Sequence, residues 1–451
     1  MSVAFGDVET LEPGPAEDAQ RRVAGALDQI GIGPGERVAF CLPSSANLLV
    51  CVLAAARRGV VPVLLNATLL PAERDALVAD ADPALVVTGP AGLQRLLSGP
   101  DADVAPYPLV RPMHYTSGTT GRPKGVWSGV LDENDARALF EDEADLWGFD
   151  GTDTHLVCSP LYHSVSVRLA GAALLRGGRV VVLPHFDAAG AVAALDRFEP
   201  TTTFMAPTAM HRVMGESHGP ACFASLRLFV HAGSPCPAPQ KRAALQRLRP
   251  GVLWEFYGST EGQFTVCSPE EWSQRPGTVG RARPGRRLEV DDQGVVWCHA
   301  PGFARFEYWR DERSTARAWR HGAFTVGDMG RLDEDGYLFL EGRRDDLVIS
   351  GGVNVYPVEV ESVLAEAPGV REVAVFGVAD EEWGERVCAA VVGAVDERAL
   401  RRHAMERLAP YKRPKAYFLV PELPHTPTGK LRRRELPAVL GLATTPPPDG
   451  S

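Results

Sequence analysis

Over the first 260 positions, short apolar runs alternate with longer stretches whose apolar residues recur at helical spacing. Segments 38–42, 61–65, 155–158, 179–183, 202–206, 228–232 and 252–257 read as strands. Segments 47–58, 165–175, 188–198 and 239–248 read as the helices between them. Single helices between strands imply crossover connections, so the sheets should be largely parallel. Segment 131–147 is acidic, with Ala136, Leu139, Phe140, Ala144 and Trp147 at helical spacing, and reads as a helix with a solvated charged face.

The texture changes after Trp254. Short strands separated by turns are expected at 288–290, 295–297 and 336–340. Beyond Arg343 a compact α+β unit follows: a helix at 357–365, strands at 373–378 and 388–392, a helix at 397–408 and a strand at 416–420. The expected fold is therefore α/β, with a large domain over 1–343 and a smaller one over 344–451. The candidate hinge is Arg343-Arg344-Asp345. The tail from 444, rich in Pro and polar residues, is expected to be disordered.

Composition narrows the class without naming an activity. The 451 residues are 45% hydrophobic, enough for more than one core. A net charge of −10 argues against a nucleic-acid surface. Eight cysteines are scattered with no CxxC, several inside apolar runs, as expected of buried thiols in a reducing compartment. With no leader pattern at the start and no apolar run of membrane-span length, a soluble cytoplasmic protein is expected.

Candidate chemistry begins at 115–126, Tyr-Thr-Ser-Gly-Thr-Thr-Gly-Arg-Pro-Lys-Gly-Val, directly after a strand-like segment. Three glycines allow close backbone approach, and exposed N–H groups, hydroxyls and one lysine together suit phosphate oxygens. Pro123 stands where a Walker A loop needs Gly. Four further segments accompany the loop: Ser159-Pro-Leu-Tyr-His163, Tyr257-Gly-Ser-Thr-Glu261, Thr325-Val-Gly-Asp328 with Gly342-Arg343, and Pro427-Thr-Gly-Lys430. In this order the set resembles the adenylate-forming superfamily of acyl- and aryl-CoA synthetases, luciferases and carrier-protein adenylation domains.

The resemblance, running from about Ala24 to Leu436, implies a large domain of layered sheets plus a small distorted barrel, and a mobile C-terminal domain. It implies activation of a carboxylic acid by ATP, with pyrophosphate release, and transfer of the acyl group to a thiol. Carried over position by position, Thr116, Ser117, Gly118, Thr119, Thr120, Gly121 and Lys124 hold the β- and γ-phosphates. Thr260 meets the α-phosphate and Glu261 holds Mg²⁺. Asp328 takes the ribose hydroxyls and Arg343 lies near the ribose and phosphate. Tyr257 packs on the adenine with Gly258 beside it, and Gly233, Ser234 and Pro235 line the purine slot. Lys430 is the catalytic lysine, reaching the carboxylate and α-phosphate. Asp345 is the hinge about which the small domain turns, bringing Gly351 and Gly352 to the pantetheine tunnel.

Substrate and acceptor are less defined. His163 matches a residue gating the acid pocket, whose wall would include Phe204, Met205, Ala232, Phe256, Phe264 and the glycines 233 and 258. This apolar bias, and the lack of an aspartate to hold an α-amine, favour an aryl or acyl acid over an amino acid. Tyr411 and Arg413 would hold the nucleotide of CoA, with Trp383 beside the pantetheine arm. A carrier protein with its phosphopantetheine, an amine or nitrite are alternative acceptors, and a non-adenylating partner protein is a third reading. Monomer and homodimer both remain open. The phosphate loop comes early in the chain, so the segments before Glu17 and over 89–112 are expected to be trimmed.

Overall fold

A computed structural model describes residues 8–116, 123–343, 346–350, 353–380, 383–425 and 431–442. The chain is a mixed α/β protein with a large N-terminal and a smaller C-terminal domain. Two six-stranded sheets form the larger part. One runs in the order Glu9–Leu11, Arg179–Val182, Thr154–Val157, Thr202–Met205, Leu228–His231 and Leu253–Glu255, parallel except for its first strand. The other runs Glu307–Tyr308, Lys124–Trp127, Met113–Thr116, Val61–Leu65, Arg37–Cys41 and Leu85–Val87. Its last four strands are parallel and its first two pair antiparallel.

The helices Ala46–Arg57 and Ser164–Leu175 share one core with strands of both sheets. Their sequences dictate that position. Ala46–Arg57 is apolar on every face, and only Asn47 of its residues escapes burial, as expected of a helix enclosed between layers. Ser45 caps it, accepting the Leu48 N–H at 3.1 Å. Its last residue, Arg57, is buried and pairs with Glu17 and Gln20 of the helix Pro13–Gln29.

The start of that helix precedes Glu17 and the helix Pro90–Leu97 lies within 89–112, the two regions expected to be trimmed, while a third helix, Pro71–Ala81, falls between them. The leading segment and the connection over 89–112 therefore carry structure: a strand Glu9–Leu11 pairs antiparallel with Val180–Val182, and Pro90–Leu97 buries Leu93 and Leu96. Each of these three helices opens with proline in its first turn, where the missing N–H costs nothing.

The barrel-like part is built from antiparallel sheets of two, four and two strands around Phe264, Phe306, Phe324 and Leu338. The C-terminal residues form a separate five-stranded sheet. Its centre is the hairpin Val370–Asp380 with Gly384–Gly393, and the helices Pro357–Leu364 and Glu397–Arg407 add to the core on one side.

Three buried histidines and the partly buried His163 make stability depend on pH. Burial pushes His114 down to about 3 and His155 and His163 to about 4, and holds His231 well below the ordinary imidazole value. The unfolded chain takes up these protons near pH 6.5, whereas the native chain resists them until lower pH. Their stabilisation is complete above 6.5 and is lost as pH falls, each group contributing about 1.4 kcal/mol per pH unit. The melting temperature should hold between pH 8 and 7 and drop steeply below 6.5. A melting temperature unchanged down to pH 5 would contradict this burial.

Candidate active site

Strands Met113–Thr116 and Lys124–Trp127 place Thr116 and Lys124 opposite each other in antiparallel register, at the two ends of the glycine-rich connection. The next strand outward, Glu307–Tyr308, brings Tyr308 across from Val126. The Lys124 ammonium then lies 5.2 Å from the Tyr308 ring centroid, donates to Ser314 Oγ at 2.7 Å and stands 3.9 Å from Asp311. Tyr308 in turn donates its hydroxyl to Glu261 Oε1 at 2.8 Å. A cation, a phenol and a buried carboxylate thus meet at the edge of the second sheet.

Glu261 sits in a tight connection closed by the Ser259 N–H on the Gly262 carbonyl at 2.9 Å. Two glycines make the turn possible. A Cβ on Gly258 would stand 2.9 Å from the Gly262 carbonyl oxygen, and one on Gly262 would come within 2.5 Å of the Phe324 ring. From behind, Arg111 clamps the turn, donating to the Thr260 carbonyl at 2.8 Å and the Glu261 carbonyl at 3.4 Å. Before the turn, Tyr257 packs on Phe264 at 4.8 Å between centroids and donates to Asp328 Oδ2 at 2.6 Å. Asp328 is also the register partner of Arg343 in the ribbon Asp328–Leu332 with Leu338–Arg343.

Gly233, Ser234 and Pro235 follow the end of the strand Leu228–His231, and Gly233 adopts φ +94°, which explains glycine there. His163 stands just before the helix Ser164–Leu175 without a side-chain capping bond, its ring 4.4 Å from that of Tyr162. Its Nε2 is enclosed with no hydrogen-bond partner among the described residues. Of the acid-pocket candidates, Met205 and Phe264 have no exposed surface, and Phe204, Ala232 and Phe256 belong to the interlayer core. None of these five lines the cavity of about 120 Å³ that abuts Glu261, Gly262 and Gln263. That cavity is bounded by Leu53, Val167, Arg168 and Gly171 of the interlayer helices, and by Arg111 and Glu143.

On the C-terminal side, Trp383 lies under the Lys415 ammonium at 4.5 Å, and Tyr411 is exposed beside Lys412. Arg413 donates to the Leu408 and Met405 carbonyls at the end of a helix. Arg433 is partly buried and pairs with Glu361 and Asp346. Ser117, Gly118, Thr119, Thr120, Gly121, Asp345, Gly351, Gly352 and Lys430 lie outside the described residues. Arg111, Tyr308 and Arg168 were not legible as site residues, because sheet pairing and helix packing, not a local motif, bring them there.

Lys124, Tyr308, the turn that carries Glu261 and the Tyr257–Asp328 pair thus stand on layered α/β sheets followed by a smaller domain. The chain belongs to the AMP-binding enzyme family: its profile matches residues 14–109 and 110–302, and that of the AMP-binding enzyme C-terminal domain matches 359–430. A 2-succinylbenzoate–CoA ligase of Bacillus cereus is 30% identical over 450 residues, covering 91% of this chain and 89% of that protein. The ATP-bound structure of MatB from Rhodopseudomonas palustris superposes with a TM-score of 0.83 at 29% identity, covering 94% and 93% of the two chains. The amide bond synthetase McbA from Marinactinospora thermotolerans matches with TM-score 0.83 and 29% identity, covering 94% of each chain. The protein is an enzyme of the AMP-forming acid–thiol ligase class, to which CoA ligases belong, activating a carboxylic acid with ATP. Among the described residues, no helix is long and apolar enough to cross a membrane.

Proposed function

We propose that the residues gathered around Glu261 carry out the first half-reaction on a small aryl or acyl acid, and that CoA is the acceptor. The observation that carries this reading is the linked set Lys124, Tyr308, Glu261 and Thr260, with Tyr257 at the start of the same connection and hydrogen-bonded to Asp328 of a separate strand. A substrate carboxylate oxygen attacks the α-phosphorus, the bond to the bridging oxygen breaks, and pyrophosphate leaves. Lys124 and the hydroxyls of the loop stabilise negative charge on the departing phosphates, and Thr260 faces the α-phosphate. Asp328 accepts from the ribose hydroxyls, and Tyr257 steadies it from one side.

Glu261 fits a Mg²⁺ ion that is shared with phosphates. Such an ion uses one or two carboxylates rather than a full protein cage, and a single buried carboxylate oriented by Tyr308 is available. When bound, the ion would supply positive charge against the triphosphate. In the second half-reaction the thiol sulfur attacks the acyl carbon, the bond to the phosphate oxygen breaks, and AMP leaves. Rotation about Asp345 would withdraw Lys430 and present Gly351 and Gly352 to the pantetheine arm, while Trp383, Tyr411 and Arg413 serve CoA. A cytoplasmic location follows from the use of ATP and CoA. An amine acceptor is the second reading, favoured by the match to an amide bond synthetase at the same TM-score as MatB.

Product analysis separates these readings: acid and ATP are supplied with CoA, a holo carrier protein or a small amine, and the acyl product is identified. Acyl-CoA is the expected product, and an amide formed in preference would replace CoA as acceptor. Asp345→Pro should spare adenylate formation while blocking thioester formation, because proline fixes φ where the hinge must turn. Equal loss in both half-reactions would argue against rotation at this residue.

A further inference from the structure

The cavity beside Glu261 is lined by apolar residues of the interlayer helices and by charged residues both from helices and from the connections around it. Four guanidinium groups, of Arg111, Arg168, Arg283 and Arg286, border it against the carboxylates of Asp142, Glu143 and Glu261. The carboxylates are already engaged. Asp142 takes Arg283 at 2.9 Å and Arg286 at 2.8 Å. Glu143 accepts from Trp147 at 3.2 Å and lies 3.4 Å from Arg168 and 3.6 Å from Arg283. Glu261 takes the Tyr308 hydroxyl.

Two of the four cations are left underused. The Arg111 guanidinium donates only to the carbonyls of Thr260 and Glu261, and among the described residues no carboxylate forms an ion pair with it, although Glu261 and Glu143 lie near enough to act on its charge. Arg168 has only the Glu143 contact, without a hydrogen bond, and its Nε is enclosed with no partner among the described residues. Its guanidinium lies 6.0 Å from the Phe256 ring centroid. Burial, and then the neighbouring charge of Arg168, lowers Arg111 to about 10, with Glu261 and Glu143 offsetting part of that effect.

We infer that this cavity receives the tail of the substrate acid and that the tail carries a second carboxylate, read by Arg168 with Arg111 beside it. The inference rests on the acid-activating reading above and deepens it to a dicarboxylic substrate. A second carboxylate there would give Arg168 the hydrogen-bonded anion that Glu143 does not supply, and arginine binds carboxylates with two parallel hydrogen bonds. Size sets the other limit. A cavity of about 150 Å³ holds one benzene ring, so the space of about 120 Å³ takes a short chain or a single ring.

The test pairs short α,ω-diacids and isophthalate with their monomethyl esters in ATP–pyrophosphate exchange. Binding of isophthalate without ATP is followed in parallel by thermal shift. Free diacids should exceed their monoesters in kcat/KM by about 10- to 100-fold, as expected for loss of one buried charge partner. Arg168→Gln should bring the ratio to within about threefold and abolish the isophthalate thermal shift, and Arg168→Lys should retain part of both. A role for Arg168 in folding alone would lower activity on every acid without changing the ratio, which would overturn the assignment. If Arg168→Gln does not fold, the wild-type ratio and Arg168→Lys decide. Monoesters matching the diacids would overturn the inference while leaving acid activation intact. Exchange with no acid, together with an isophthalate shift lost in the arginine variants, would uphold the anion site and refute acid activation. The lack of both exchange and shift would refute both.

Discussion

Lys430→Ala should slow acid-dependent pyrophosphate release by about 10²- to 10³-fold, the usual loss when one transition-state donor is removed. The argument is electrostatic. A carboxylate approaches a triphosphate that already carries several negative charges, so positive charge must be placed where it accumulates. A lysine at the end of a long flexible stem can arrive for this step and leave before the next. The substitution should leave ATP binding and melting temperature nearly unchanged, because Lys430 belongs to a Pro-Thr-Gly-Lys segment rather than to a core run. Thioester formation from a supplied acyl-adenylate should also persist. Pyrophosphate release at the wild-type rate would remove Lys430 from the chemistry.

Glu261→Gln should have an effect of similar size, about 10²-fold, by a different route. Glutamine keeps the volume and can still accept the Tyr308 hydroxyl, so the turn held by Arg111 should persist. What is lost is the negative charge that an oxygen-seeking ion needs. The diagnostic quantity is the Mg²⁺ concentration giving half-maximal rate, which should rise several-fold, with partial rescue at high Mg²⁺. A uniform loss of rate with no change in Mg²⁺ dependence would make Glu261 structural only.

Much of the layered core was legible because buried parallel strands read as near-continuous apolar runs. The strand Val61–Leu65 and helix Ala188–Phe198 lie where the pattern put them, and most neighbours differ by a residue or two at an end. The N-terminal helices were hidden for physical reasons. Pro13–Gln29 opens with Pro-Gly-Pro and buries mainly small residues, and Pro71–Ala81 buries only Ala81, so neither shows a strong apolar stripe. In the C-terminal hairpin the strands run well past 373–378 and 388–392, because ladder pairing extends through positions such as Arg386 and Glu385 whose side chains are polar.

The site was legible where a local motif carries it. Tyr257 to Glu261 is one continuous segment, and Asp328 follows a recognisable Thr-Val-Gly. Tyr308 arrives through an edge strand far from Lys124 in the chain, and Arg111 through a connection before a strand. No sequence pattern announces either. Of the pocket wall read from position, Met205 and Phe264 have no exposed surface, and the cavity beside Glu261 lies against Arg168, a residue that no local motif marks.

The most direct test of acid activation at this site is acid-dependent ATP–pyrophosphate exchange by the wild-type enzyme without CoA. Exchange that requires both a carboxylic acid and Mg²⁺, and that collapses in Lys430→Ala and Glu261→Gln, is the predicted result. Wild-type exchange that persists undiminished in both variants would contradict the account.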